Sequence, residues 1–185
     1  YGANKTFTDH ASVLALRKGR CSAGGAELAC DNTGCTPFNA QLALELPAGD
    51  YCIIVDQDGP QPTGKTGLRV VRGGRTGIRV PSSGPSGFTG NTCGKADLCT
   101  SSCATGAAPD AAYFFPGCDL QHFISASTCG VVTNFNSAVV LRSGSALAPD
   151  LRCDASGCAS GGSITFELDG PGLAWVIVDG DAAGA

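Results

Sequence analysis

The chain has 185 residues and a net charge of −4, and hydrophobic residues (43%) far outnumber charged ones (15%). This composition supplies a packed core and argues against intrinsic disorder. No segment is dense in Lys and Arg, so nucleic-acid binding is not expected. Apolar runs such as Cys52–Val55 are far shorter than the about 20 residues of a membrane span, so membrane insertion is not expected either.

The first part of the chain predicts short β-strands. Leu42–Leu46 carries leucine at every second position, the period of a strand with one buried and one solvated face. Pro47–Asp50 provides a turn, and the apolar run Ile53–Val55 is typical of a strand covered on both faces. No stretch has the pattern of a long amphipathic helix, and short strands with Gly/Pro turns indicate antiparallel β-sandwiches.

A literal phosphate-loop pattern follows, with Gly59, Gly64, Lys65 and Thr66 at the required spacing. A working phosphate loop needs a helix after it, because the N–H groups of the helix terminus meet the phosphates. Residues 67–74 are instead broken by glycine and rich in strand formers. We therefore expect a hairpin connection here, with no bound cofactor.

A Gly-, Pro- and Ser-rich stretch at residues 72–92 indicates a junction, although residues 77–80 have the composition of a strand. We predict an incomplete first copy of a module at residues 1–80, a junction at 81–92 and a second copy at 93–185.

Self-comparison predicts the duplication, because four segments recur in one order at offsets of 122 to 125 residues. The matching pairs are Ala15–Gly19 with Val140–Gly144, Cys30–Cys35 with Cys153–Cys158, Leu42–Leu46 with Ile164–Leu168, and Ile53–Asp56 with Val176–Asp179. The first copy has no counterpart of the early elements of the second, and the second copy has no counterpart of the last strand of the first. Each copy is therefore expected to lack at least one strand. Either the chain is a fragment of a longer repeat protein, or a neighbouring chain supplies the missing strands head to tail.

The stretch Leu46–Asp56 resembles the signature of the bacterial pre-peptidase C-terminal domain, in which a Leu-x-Ala-Gly-x-Tyr strand leads into a Val-Asp-Gly turn. Thr66–Val71 resembles the strand that follows in that family. Asp110–Phe115, and Ser127–Gly130 followed by Ala138–Arg142, resemble its upstream elements. Two departures are Gln57 in place of the turn glycine and Trp175 in place of the second tyrosine.

The resemblance implies an all-β chain of tandem antiparallel jelly-roll-like β-sandwiches without catalytic activity. It implies a secreted bacterial structural or adhesive protein, with a fibre subunit built by strand complementation as one form. The expected partners are copies of the chain itself, and then extracellular matrix or polysaccharide. A substrate-binding accessory module of a secreted hydrolase is the alternative.

The cysteines predict a disulfide framework and an extracellular or cell-surface location, because His is scarce and the Cys spacing does not fit zinc. The residues 1–4 lack a signal-peptide pattern, which indicates a mature chain or a fragment. One cysteine of the odd number must stay a thiol or pair outside the chain. The eleven candidates are Cys21, Cys30, Cys35, Cys52, Cys93, Cys99, Cys103, Cys118, Cys129, Cys153 and Cys158.

We expect Cys21 to pair with Cys30 and Cys35 with Cys52 in the first copy, while Cys153 and Cys158 are close enough in sequence to pair across a turn. His10 and His122 are expected to be structural or surface residues. Asp56, Asp58, Asp179 and Asp181 lie at matching turns. They are expected to cap their own turns, with Ca²⁺ binding through oxygen ligands as the alternative.

Overall fold

The fold contains β-strands and no α-helix in the part of the chain that the computed structural model describes, which confirms the all-β class. The described residues are 11–21, 25–34, 40–57, 59, 67–74, 76–81, 84–92, 95–118, 122–169 and 172–181. Their ten strands are β1 (Ser12–Lys18), β2 (Glu27–Asp31), β3 (Tyr51–Gln57), β4 (Ile78–Arg79), β5 (Ala111–Gly117), β6 (His122–Ser127), β7 (Ser137–Ser143), β8 (Arg152–Asp154), β9 (Ser163–Leu168) and β10 (Gly172–Gly180).

The chain divides into two compact units, unit 1 (Tyr1–Val70) and unit 2 (Val71–Ala185). The short strand β4 falls in unit 2, where it pairs in parallel with β5. The predicted division at residues 80 and 92 stays a prediction. No helix in the described ranges has the length and apolar character of a membrane span.

Unit 1 contains a three-stranded antiparallel sheet in the order β2-β1-β3. Ala15 and Leu16 of β1 and Cys52 of β3 are its buried apolar residues. The strand predicted at Leu42–Leu46 is wrong, since these residues form no strand and both Leu44 and Leu46 are exposed. An alternation of apolar and polar residues forms a strand only where the backbone of a neighbouring strand can hydrogen-bond with it, and no described strand pairs with residues 42–46.

Unit 2 is a two-layer β-sandwich with a five-stranded sheet in the order β4-β5-β10-β7-β8 and a two-stranded antiparallel sheet β6-β9. Val139 and Leu141 on one face of β7 pack against Ile164 of β9, with Ile124 and Phe166 at the edge of the cluster. The strand pair β6-β9 confirms the strand predicted at Ile164–Leu168. Six of the seven β7 residues are buried, because both faces of this central strand are covered.

The same three-stranded motif occurs in both units. In unit 1, Ala15 of β1 lies opposite Ile54 of β3 and Cys30 of β2. In unit 2, the matching Val140 of β7 lies opposite Ile177 of β10 and Cys153 of β8. Strand order and register therefore agree between the units at the positions that the sequence repeat pairs.

The aspartate and glycine of the repeated Cys-Asp-x-x-Gly-Cys motif have the same local arrangement in both units. Asp31 Oδ2 accepts hydrogen bonds from the N–H groups of Gly34 (2.8 Å) and Gln41 (2.6 Å). Asp154 Oδ2 accepts one from the Ser163 N–H at 2.7 Å. A Cβ atom on Gly34 or on Gly157 would lie 2.6 Å from the carboxylate oxygen of the motif, so glycine is required there. The aspartate therefore fixes the turn that follows β2 and β8.

Gly73 and Gly77 lie against the side chain of Trp175, where a Cβ atom on either residue would collide with the indole ring. Gly73 accepts hydrogen bonds through its carbonyl from the Ala146 N–H (3.0 Å) and the Ser145 hydroxyl (3.1 Å). The Val80 N–H donates to the Phe114 carbonyl at 2.8 Å. The backbone can approach the indole this closely only because residue 73 lacks a side chain.

Replacing Gly73 with Ala is expected to destabilise unit 2 by about 1–3 kcal/mol, because the added Cβ collides with the indole of Trp175. Urea unfolding followed by the fluorescence of Trp175, the single tryptophan of the chain, measures the change. Gly87→Ala is the matched control, since a Cβ there meets nothing within 4 Å. Equal stabilities of the two variants would show that Gly73 does not lie against the tryptophan.

Candidate functional site

Four buried polar residues of unit 2, Ser101, Asp110, Arg142 and Asp179, gather where one segment covers the sheet. We call this segment the clasp (residues 97–117); it consists of a loop followed by β5. Its strand β5 pairs antiparallel with β10, along the edge of β10 that is not occupied by β7. Tyr113 lies opposite Val176 and Phe114 lies opposite Trp175. Its loop carries the polar contacts described next.

Arg142 of β7 holds the clasp loop through a buried guanidinium group, with 4% of the residue exposed. Its Nε donates to Asp150 Oδ1 at 2.7 Å, and its Nη1 donates to the Ala146 carbonyl at 2.5 Å. Its Nη2 donates to the Thr100 carbonyl of the clasp at 2.6 Å. The second Asp150 oxygen accepts the N–H of Ser102 at 2.7 Å. Both members of the ion pair, Arg142 and Asp150, therefore hydrogen-bond to the backbone of the clasp.

Two buried carboxylates complete the polar contacts of the clasp. Asp110, inside the clasp, accepts the N–H groups of Leu98 (2.9 Å) and Cys99 (2.7 Å) through Oδ2. Asp179 of β10 accepts the hydroxyl of Ser101 at 2.8 Å. Burial raises the pKa of Asp179, and the neighbouring charges of Asp110 and Asp97 raise it further.

The stability of unit 2 is expected to depend on pH through Asp179. Because its pKa is higher in the folded than in the unfolded chain, the folded state binds more protons between the two values. The free energy of unfolding of unit 2 therefore falls as pH rises above the pKa of Asp179 in the unfolded chain, about 3.9. It continues to fall until the pH has passed the pKa of Asp179 in the folded chain. Asp179→Asn should remove this loss, so the variant gains stability relative to the native chain as pH rises from acid to neutral.

The matched control for this pH series is Asp154→Asn, which should behave in the opposite way. The Ser163 N–H holds the pKa of Asp154 below its ordinary value, so ionised Asp154 stabilises the fold above its unfolded pKa. Denaturant unfolding of both variants at a series of acidic pH values shows whether each substitution raises or lowers stability as pH rises. If the stability of the Asp179→Asn variant and that of the native chain changed in parallel with pH, Asp179 would not be the source of the pH dependence.

A disulfide between Cys103 of the clasp and Cys153 of β8 adds a covalent bond to these contacts. The other described bonds join Cys21 to Cys52 and Cys129 to Cys158, and Cys118 is disulfide-bonded as well. Such a set of disulfides is typical of a protein in an oxidising compartment.

The predicted pairs Cys21–Cys30, Cys35–Cys52 and Cys153–Cys158 are therefore wrong. Cys30 and Cys99 carry thiols, exposed in Cys30 and buried in Cys99. Cys35 and Cys93 lie outside the described residues. Proximity along the chain misled the prediction, because the bonds join cysteines 29 to 50 residues apart that the sheets bring together.

The aspartates considered for calcium are not brought together. Asp56 is exposed and lies within β3, where its Oδ1 accepts the N–H of Gln57 at 2.8 Å. Asp181 accepts the N–H and hydroxyl of Thr105, both at 3.2 Å. Asp58 lies outside the described residues. Within the described ranges, no group of three His, Cys, Asp or Glu is placed to hold a metal ion.

The remaining candidates are only partly described. Most of the predicted hairpin loop, residues 60–66, and His10 lie outside the described residues, while His122 begins β6. Sequence analysis missed Arg142 and the clasp. The recurrence of arginine at positions 17 and 142 within matching segments was the available signal.

Comparisons with protein-family models, with curated proteins and with solved structures found no match to this chain. The resemblance to the pre-peptidase C-terminal domain therefore stays a prediction.

Proposed function

We propose that the chain is a non-catalytic structural or adhesive module of the cell exterior, which assembles with copies of itself by strand complementation. The observation that carries this proposal is the difference between two equivalent strands. In unit 2, β10 is paired on both edges, by β7 and by β5. In unit 1, β3 pairs with β1, and no described strand occupies its other edge.

An open strand edge beside apolar side chains favours association, because its backbone N–H and C=O groups can pair with another chain. Ile53 of β3 is exposed, whereas the matching Val176 contributes to the packed core of unit 2. The polar side chains of Arg142, Asp150 and Asp179 bond to the clasp and hold it, which suits a structural role.

Sedimentation velocity over a concentration series, with negative-stain microscopy of the same samples, tests the proposal. We expect head-to-tail oligomers or fibres that grow with concentration. A compact monomer at every concentration would contradict self-assembly.

A substrate-binding accessory module is the second candidate, favoured by the exposed ring of Phe123 on β6, which is 77% exposed. Aromatic side chains are enriched in binding interfaces relative to the rest of the protein surface. Under this reading, insoluble polysaccharide should retain the native chain in a pull-down and lose the Phe123→Ala variant. Equal retention of both proteins would contradict it.

A further inference from the structure

Charges are separated along the chain into two adjacent stretches of opposite sign. Residues 21–58 contain six acidic side chains and no Lys or Arg, whereas residues 59–96 contain six basic side chains and no Asp or Glu. The acidic stretch lies in unit 1, and residues 71–96 of the basic stretch belong to unit 2. Opposite charges on two parts of one chain favour contact between the first part of one copy and the second part of another.

The acidic stretch contains an exposed segment that has the pattern of a strand. In Leu42–Leu46, leucine alternates with small or acidic residues, and no described strand pairs with this segment. Leu44, Glu45 and Leu46 are exposed. The matching segment of unit 2, Ile164–Leu168, has the same alternation and forms a strand because β6 pairs with it. The unit 1 segment can therefore form a strand where another strand offers it an edge.

The basic stretch provides an open strand edge. Strand β4 is the last strand of the five-stranded sheet; it pairs with β5 on one edge, and no described strand occupies its other edge. The Val80 N–H donates to the Phe114 carbonyl of β5. Because successive residues of a strand direct their backbone groups to opposite edges, the N–H and C=O of Arg79 face the open edge. Such an edge accepts a further strand.

The two faces of this edge differ in chemistry. Arg79 lies opposite Phe114 in the register of β4 and β5, and Ile78 lies opposite Tyr113. Successive side chains of a strand point to opposite faces, so the exposed Arg79 makes one face cationic. On the other face Ile78 is exposed, and the ring of Phe88, which is 42% exposed, lies 5.4 Å from the Tyr113 ring. This second face is apolar.

A strand formed by Leu42–Leu46 has the same division between its faces. Its Glu45 side chain points to one face, and the leucines on either side of it point to the other. One register therefore places Glu45 beside Arg79 and a neighbouring leucine beside Ile78. Cross-strand pairs of opposite charge and pairs of apolar side chains both stabilise a sheet.

We propose that Leu42–Leu46 of one copy of the chain pairs as a strand with the open edge of β4 in another copy, and that an ion pair between Glu45 and Arg79 fixes the register. The contact joins a segment of unit 1 to a strand of unit 2, so it is heterologous and repeats head to tail along a filament. Because the ion pair is exposed, added salt weakens the contact. This inference rests on the proposed self-assembly and names a donor segment and an acceptor edge for it.

Charge reversal on the full chain tests the proposal. Glu45→Arg and Arg79→Glu should each weaken self-association about tenfold at low salt, since each sets like charges side by side. Sedimentation velocity over a concentration series measures the change, and far-UV circular dichroism checks that each variant is folded. The matched control is Lys95→Glu, the same change of charge at another exposed position of the basic stretch. It should leave association within about twofold of that of the native chain.

A mixture of the two charge-reversed variants shows whether the contact lies between copies. In an equimolar mixture, the altered segment of the Glu45→Arg variant meets the altered edge of the Arg79→Glu variant, and the native segment meets the native edge. Association should therefore return to near the native level, and the double variant should associate equally well. Recovery in the double variant but not in the mixture would place the contact within one chain and overturn the proposal.

The remaining outcomes separate this contact from the proposed function. Association that neither substitution weakens would overturn the contact with β4 and leave self-assembly standing. A native chain that stays monomeric at every concentration would overturn both. The third outcome is charge-dependent association, restored on mixing, in which the β3 amides exchange as fast as in the monomer. It would support the contact and contradict the part that the proposed function assigns to β3.

Discussion

Replacing Arg142 with Met is expected to destabilise unit 2 by about 3–5 kcal/mol, the range found when one partner of a buried ion pair is removed. The guanidinium group is almost fully buried and bonds to Asp150, to the Ala146 carbonyl and to the Thr100 carbonyl. Methionine fills much of the volume but removes the guanidinium donors from these three acceptors. Equilibrium unfolding in urea, followed by Trp175 fluorescence, measures the loss.

Arg152→Met is the matched control for this substitution. Arg152 is exposed and stacks over the Phe166 ring with its guanidinium carbon 5.1 Å from the ring centre. Its replacement should cost about 0.5–1 kcal/mol. If Arg142→Met costs no more than Arg152→Met, the ion pair does not hold the clasp.

Removing the disulfide between Cys103 and Cys153 is expected to have the second largest effect. The bond closes a loop with a sequence separation of 50 residues. Its loss in the double variant Cys103→Ala, Cys153→Ala should cost about 2–5 kcal/mol, through the freedom regained by the unfolded chain and the released clasp loop. Thermal unfolding followed by far-UV circular dichroism gives the change.

The variant Cys30→Ala provides a control at the equivalent position of unit 1. Because Cys30 is an exposed thiol, its replacement should change stability by less than about 0.5 kcal/mol. Similar losses of stability for Cys30→Ala and for the double variant would contradict the described difference, in which β2 carries a thiol and β8 a disulfide at the equivalent position.

The sequence predicted the repeated framework well because its signals are local. The apolar runs at Ile53–Val55 and Val176–Val178 lie in β3 and β10, and the matching segments fall on equivalent strands. Hydrophobic pattern and turn residues decide such strands within a few positions of the chain.

The sequence could not predict features that depend on distant parts of the chain. Leu42–Leu46 and Ile164–Leu168 have the same alternation, yet only the second forms a strand, because β6 pairs with it. The partner of Arg142 lies 42 residues away at Thr100, and no periodicity indicates such a contact. The disulfides follow the folded distances between Cα atoms, which spacing in the sequence does not give.

Hydrogen exchange of the backbone amides of β3 and β10 tests most directly whether these equivalent strands differ in their pairing. In the monomeric chain we expect slow exchange throughout β10, which is paired on both edges, and fast exchange for part of β3, which has one described partner, β1. At concentrations where the chain assembles, the exchange of β3 should slow to the rate of β10. Slow exchange throughout β3 in the monomer would contradict the account.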